Sequence, residues 1–292
     1  MLKIGFLGLG IMGRPMALNL VKAGMDVTVY DLNQDAVNEL TAAGAHAAAS
    51  ACDMAKNKDA VFTILPTAAI VQQVLTAEDG ILAGADEGTI IVDSSSVSPL
   101  DSKKCYELAA AKGCPFLDAP VSGSNEKAAD GTLAFMIGGD EKAAEKIRKA
   151  FEAMGSSWLV VGPSGSGSVT KLANQIMVNS NICAVAEAFT LAQKAGADPK
   201  KVYQAVRSGL AGSTVLELKG QKMFHRDFTP GGTIKVNMKD MNNALTTARD
   251  MEVPLFNIIL SMAATGHLLD DHSGYVQFYE AASGIIVETK EQ

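Results

Sequence analysis

The sequence predicts an α/β fold: a doubly wound parallel sheet in the N-terminal half, followed by an all-helical C-terminal half that is entered through one long helix. Three observations carry this. Short apolar runs alternate with helical spacing from Lys3 to Val161, the first run leads straight into the glycine turn Gly8-Leu-Gly10-Ile-Met-Gly13, and after Gly165 only helical spacing recurs. Such βα alternation implies parallel strands joined by right-handed crossovers. A chain of 292 residues, 48% of them hydrophobic, can bury two cores.

Lys3–Leu7 reads as a strand, the glycine turn follows, and a helix pattern runs from Arg14 to Ala23. In a strand-turn-helix context G-x-G-x-x-G is the fingerprint of a dinucleotide site, with an acidic residue expected about 20 positions on. The second strand, Val27–Tyr30, ends at Asp31, where a carboxylate would accept hydrogen bonds from an adenosine ribose. Gly8 permits the tight turn, Gly10 lets the backbone approach the pyrophosphate across Ile11 and Met12, and Gly13 lets helix pack on strand. This is a Rossmann-type arrangement with NAD as its expected cofactor.

The alternation continues through a helix at Gln34–Ala43, a strand at Ala60–Leu65, a helix at Ala69–Leu75 and a strand at Thr89–Asp93. Ligands of such sheets bind beyond the carboxyl ends of strands. Leu65, Pro66 and the Ser94–Ser96 run, Ser95 at its centre, are therefore candidate cofactor contacts. A helix at Ser98–Lys112 leads to the strand Pro115–Asp118 and the loop Ala119-Pro-Val-Ser122-Gly123-Ser124-Asn125, whose hydroxyls and open backbone N–H groups can hold a carboxylate. Strands at Leu133–Ile137 and Trp158–Val161 flank a helix at Glu141–Met154, and Gly162-Pro163 closes the domain. The expected division is 1–163 for dinucleotide binding and 164–292 for substrate binding and oligomerisation.

Composition narrows the function. A net charge of −7 argues against nucleic acid, whose phosphates demand cations. No apolar run approaches the roughly 18 residues of a membrane span, and the start of the chain has no charged-then-apolar leader, so a cytoplasmic, membrane-free protein is expected. Four cysteines and four histidines show no metal-type spacing, so no metal site is expected.

The stretch from Gly165 to Gly196 reads as one helix, with no charge, Pro or Gly between Lys171 and Glu187 and apolar residues on every face, as in a helix buried all round. From Ser168 to Ala195 it would span about 42 Å. Lys171, Asn174 and Gln175 share one of its faces, an ammonium and two amides able to protonate and orient a carbonyl. With the helix starting at Ser168, Lys171 falls in the first turn, where the helix dipole disfavours the charged amine. Helical spacing resumes at Pro199–Ser208, Gly212–His225, Lys239–Met251, Leu255–Leu269 and from Asp271 to Ala282, with Phe228–Ile234 as an extended loop. Lys239 could reach back toward the cleft or pair with Asp240 on the surface.

The segments GFLGLGIMGRPMALNL, DAPVSGSNEKAADGTLAFMIGGD, GSGSVTKLANQ and NMKDMNNAL resemble, in order and over nearly the whole chain, the β-hydroxyacid dehydrogenases, relatives of 3-hydroxyisobutyrate dehydrogenase and 6-phosphogluconate dehydrogenase. Within that family KLANQ, GLAGSTVL and DHS are similar to the group that reduces tartronate semialdehyde. The resemblance implies that Lys171 is the catalytic lysine, that Ser122 and Gly123 form the substrate-carboxylate loop, that Asn174 orients the substrate and that Lys239 serves the cofactor. Two departures stand out: Ser124 where many relatives have a second glycine, and Gln175 where many have Asn. The implied activity is NADH-dependent reduction of a short carboxylated aldehyde by a homodimer or homotetramer, with NADP possible. The alternatives are a 3-hydroxyisobutyrate or 4-hydroxybutyrate dehydrogenase and a non-catalytic dinucleotide-binding module.

Overall fold

The computed structural model describes residues 1–230, 232–253 and 266–288. The chain divides into two compact units, Met1–Lys171 and Leu172–Gln292.

In the first unit the strands are β1 (Lys3–Leu7), β2 (Asp26–Tyr30), β3 (His46–Ala47), β4 (Ala60–Thr63), β5 (Ile90–Asp93), β6 (Phe116–Asp118), β7 (Val121–Ser122), β8 (Leu133–Gly138) and β9 (Gly155–Gly162). Among the described residues they form one sheet in the order β3-β2-β1-β4-β5-β6-β8-β7, with β9 also paired to β8. The run from β3 to β6 is parallel, as expected. Beyond it β8 runs antiparallel to both β6 and β7, so the sheet is mixed at this edge. Sequence order reverses between β1 and β4, which places the crevice for a ligand beside the turn that follows β1.

Alternate residues of the strands face opposite sides, as a two-residue period requires. Ile4, Phe6, Val27, Val29, Phe62 and Val92 join one buried cluster, while Leu7, Val61, Ile91 and Phe116 join another. Both faces are covered by helices, which is why these strands read as continuous apolar runs. The helix expected over Glu141–Met154 is two, Glu141–Lys146 and Arg148–Met154, parted at Ile147. Ile147 is 1% exposed and leaves helical geometry at φ −108, ψ 17, in keeping with burial of its branched side chain overriding local spacing.

The long helix is continuous over Ser166–Lys194. Its start lies two residues before the expected one, so Lys171 stands in the second turn, past the four free N–H groups where the dipole acts most strongly. It is not buried all round either: Val169, Met177 and Leu191 are 44, 65 and 73% exposed on one stripe.

The second unit is helical among its described residues, with a core of Ile182, Phe189, Tyr203, Phe224, Met241 and Tyr275. Pro199–Val206 and Ile234–Asp250 match expected helices, the latter starting five residues early at a Thr233 cap that accepts from the Val236 N–H. The stretch expected as a helix from Gly212 to His225 is a π-helical turn, Leu216–Gly220, running into Gln221–Phe224. Most of the helix expected at Leu255–Leu269 lies outside the described residues.

Two polar rungs cross between the long helix and Ile234–Asp250. Gln175 Nε2 donates to Asp240 Oδ2 (2.8 Å), and one turn on Asn237 Nδ2 donates to Asn179 Oδ1 (3.0 Å). Asn237 also meets His272, and Lys219 reaches the fully buried Asp271 at 3.1 Å. Burial alone would raise the Asp271 pKa, yet the Ser273 N–H and Lys219 hold it at about 2. His272 is pushed down to about 4, by burial first and by Lys219 beside it.

Candidate active site

The turn after β1 is built for close approach. Gly8 has φ +97, and a Cβ on Gly13 would run into the Gly8 carbonyl oxygen. At Gly10 a Cβ would stand in open space, so the backbone there is bare. The helix that starts at Gly13 has neither a side-chain cap nor an acidic residue in its first turn. Arg14 gives its N–H to the Gly10 carbonyl and Pro15 has none, so what the start of this helix offers an anion is its positive dipole end. Ile11 is 74% exposed and Met12 half-buried. Asp31 accepts the Leu9 N–H on one carboxylate oxygen and the Asn33 N–H on the other, tying the end of β2 to the glycine turn. Since a carboxylate offers about four acceptor sites, capacity remains for ribose hydroxyls. These residues fit a dinucleotide.

At the ends of β4 and β5, Asp93 Oδ1 accepts from the Thr63 hydroxyl (2.8 Å) and from the N–H and hydroxyl of Ser95, while the Ser95 Oγ accepts the Leu65 N–H (2.8 Å). Ser95 is 1% exposed, so its hydroxyl is spent on holding the Leu65-Pro66 loop. Pro66 is exposed and Leu65 half-buried.

Lys171 and the Ala119–Asn125 loop meet within the first unit. The half-buried Lys171 donates from Nζ to the Val121 carbonyl at 2.9 Å, immediately before Ser122. Gly123 has φ +142, and a Cβ there would crowd Leu133 and Lys127. Ser124 is exposed and its hydroxyl donates to Glu126 at 2.9 Å, so the added hydroxyl is turned toward its own helix.

In the second unit Asn174 Nδ2 donates to Gln175 Oε1 (3.0 Å). Gln175 is 8% exposed and committed to Asp240, whose other oxygen stands 3.5 Å from Lys239 Nζ. Gln175 thus acts on Asn174 and Asp240 from inside the unit. Sequence reasoning missed Asp118, Asp93 and the burial of Asp240. The only signal for Asp118 was an acid ending an apolar strand, and its partners lie 47 and 50 residues downstream.

The NAD binding domain of 6-phosphogluconate dehydrogenase matches as a sequence family over residues 3–162, and the NAD-binding domain of NADP-dependent 3-hydroxyisobutyrate dehydrogenase over 165–279. The chain is 41% identical to 2-hydroxy-3-oxopropionate reductase of Escherichia coli over 285 residues, 96% of this chain and 97% of that protein. It is 37% identical to NAD-dependent L-serine dehydrogenase of Pseudomonas aeruginosa, over 90% of this chain and 91% of that one. The structure of Mycobacterium tuberculosis 3-hydroxyisobutyrate dehydrogenase with L-serine superposes with a TM-score of 0.85 at 31% identity, covering 95% of this chain and 99% of that chain. Together with the glycine turn and the lysine-bearing helix, these matches show that the chain belongs to the β-hydroxyacid dehydrogenase family, oxidoreductases that act with NAD(P) on the CH–OH group of small hydroxy acids.

Proposed function

We propose that this enzyme reduces a short carboxylated aldehyde to its hydroxy acid with NADH, and that tartronate semialdehyde, giving glycerate, is its preferred substrate. The observation that carries the reading is the Lys171 ammonium held 2.9 Å from the Val121 carbonyl, beside Ser122 and Gly123. Reduced nicotinamide, when bound, supplies the hydride for the carbonyl carbon. Lys171 gives its proton to the carbonyl oxygen as negative charge develops there. Asn174, one turn on along the same helix, orients that oxygen, and Ser122 and Gly123 hold the carboxylate, with Ser124 serving through its backbone because its hydroxyl is given to Glu126, so that the reactants meet in one geometry. Gln175 acts through Asn174. Gly8, Gly10, Ile11, Met12, Gly13, Asp31, Leu65 and Pro66 bind the cofactor with Lys239 as a further contact, and Ser95 supports Leu65 from within. We assign residues 1–163 to the dinucleotide and 164–292 to substrate and to assembly as a homodimer or homotetramer in the cytoplasm. Among the described residues no helix is long and apolar enough to cross a membrane.

Substrate choice is tested by kcat/KM for tartronate, succinic and methylmalonate semialdehydes at saturating NADH. Tartronate semialdehyde should lead, because polar groups left unpaired by a plainer analogue cost affinity. The 41% identity to 2-hydroxy-3-oxopropionate reductase supports the same order. A tenfold lead for either other compound would transfer the assignment to the 4-hydroxybutyrate or 3-hydroxyisobutyrate class, the second of which the structural match favours.

NADH should outperform NADPH in kcat/KM by about tenfold or more. Asp31 carries negative charge toward the ribose, neither Leu32 nor Asn33 supplies a cation, and Arg14 is paired with Glu39 at 2.9 Å. Equal values for the two cofactors would remove Asp31 from this role.

A further inference from the structure

Asp118, the last residue of β6, is 1% exposed. Its Oδ1 accepts the Gly165 N–H at 2.7 Å and its Oδ2 the Ser168 N–H at 2.8 Å. These donors lie at the start of the long helix, where N–H groups have no partner within the helix. Nothing bulky separates helix from sheet. A Cβ on Gly167 would run into the carbonyl oxygens of Asp118 and Met136, and one on Gly138 would stand 2.5 Å from Asp118 Oδ1. Ser168 is held a second time, by the Ser102 hydroxyl at 2.8 Å, both residues being buried.

Three residues beyond Asp118 the chain reaches Val121, and three residues beyond Ser168 the helix reaches Lys171. Positions three apart share a helix face, so the same two segments are joined twice: by the carboxylate at one end and by the Lys171–Val121 bond (2.9 Å) at the other. We propose that Asp118 is a positioning residue for the reaction, its carboxylate clamping the first turn of the long helix to the end of the sheet and so holding the Lys171 ammonium against the substrate loop. The proposal rests on the reading of Lys171 as proton donor. A neutral Ser or Asn caps an ordinary helix well. Here a carboxylate is kept although burial pushes its pKa up to about 6, against the pull of the Gly165 and Ser168 N–H groups. That cost is in keeping with a charge-assisted clamp, about twice as strong as a neutral one.

The test is a kinetic cycle of Asp118→Asn, Lys171→Ala and the double variant, with NADH titration and thermal melting on each. The amide introduced by Asp118→Asn keeps one acceptor but turns an N–H toward an N–H. This variant should lower kcat about tenfold to a hundredfold, since misplacing a catalytic group by about 1 Å costs that much. Its KM and NADH Kd should stay within about threefold of wild type. Because Asp118 acts through Lys171, the double variant should be no slower than Lys171→Ala beyond about threefold. Wild-type kcat in Asp118→Asn, or losses that multiply in the double variant, would overturn the clamp. If Lys171→Ala itself stays active, the reading of Lys171 is what fails. Should Asp118→Asn not yield protein that binds NADH, Asp118→Ser, whose hydroxyl serves only one of the two N–H groups, takes the same measurements and the same criteria.

Discussion

Lys171→Ala should lower kcat by about 10²–10⁴-fold, the range for loss of a general acid, while NADH affinity stays within a few-fold of wild type. The separation follows from where the groups lie. The ammonium bonds to the Val121 carbonyl, whereas the glycine turn and Asp31 are joined to one another at the ends of β1 and β2. Removing the side chain strips that donor from the Val121 carbonyl. Steady-state turnover alongside fluorescence titration of NADH decides it. Residual activity above about a tenth of wild type would take Lys171 out of the chemistry.

Gly13→Ala should weaken NADH binding by about fivefold to 150-fold. The added methyl meets the Gly8 carbonyl oxygen inside any allowed contact and Ile64 Cγ2 at 2.6 Å. The first obstacle is backbone, so no rotamer change relieves it and the turn must open. Overpacking of this kind costs about 1–3 kcal/mol, and each 1.4 kcal/mol is about tenfold in affinity. Calorimetric titration measures the loss directly. A variant that binds within threefold of wild type while melting normally would show that the turn is not what grips the pyrophosphate.

Long, strongly periodic elements were legible in the sequence. β1 falls on its predicted residues, whereas the bond that Asp31 accepts from the Leu9 N–H in the glycine turn is one that no local spacing indicated. Five short elements escaped: β3 and β7, of two residues each, and the helices Ala51–Ala55, Ile81–Gly84 and Asn125–Ala129, which lack the length to display a helical period. The break at Ile147 escaped for a related reason, since only the packed core shows the cost of leaving that side chain in water. At the site, spacing placed Lys171, Asn174 and Gln175 on one face of a helix, but partners far along the chain hold Lys171 and Gln175. Gln175 is drawn inward by Asp240, and Ser95 by Asp93 and Leu65. Such assignments are written in tertiary contacts rather than in any local pattern.

The buried Asp118 and His272 make the two units exchange protons with solvent in opposite directions as they fold. Between about pH 4 and 6 the folded first unit keeps a proton on Asp118, at about 6, that an ordinary carboxyl at 3.8 has released, so folding takes a proton up. In the same window the folded second unit leaves His272, at about 4, neutral where an ordinary imidazole at 6.5 is charged, so folding releases one. Stability follows proton binding. Through these groups, acidification across this window strengthens the first unit and weakens the second, and below pH 3.8 Asp271, with its pKa at about 2, continues the weakening of the second. Between these two groups the protons nearly cancel, although each sets the stability of its own unit against pH in the opposite sense.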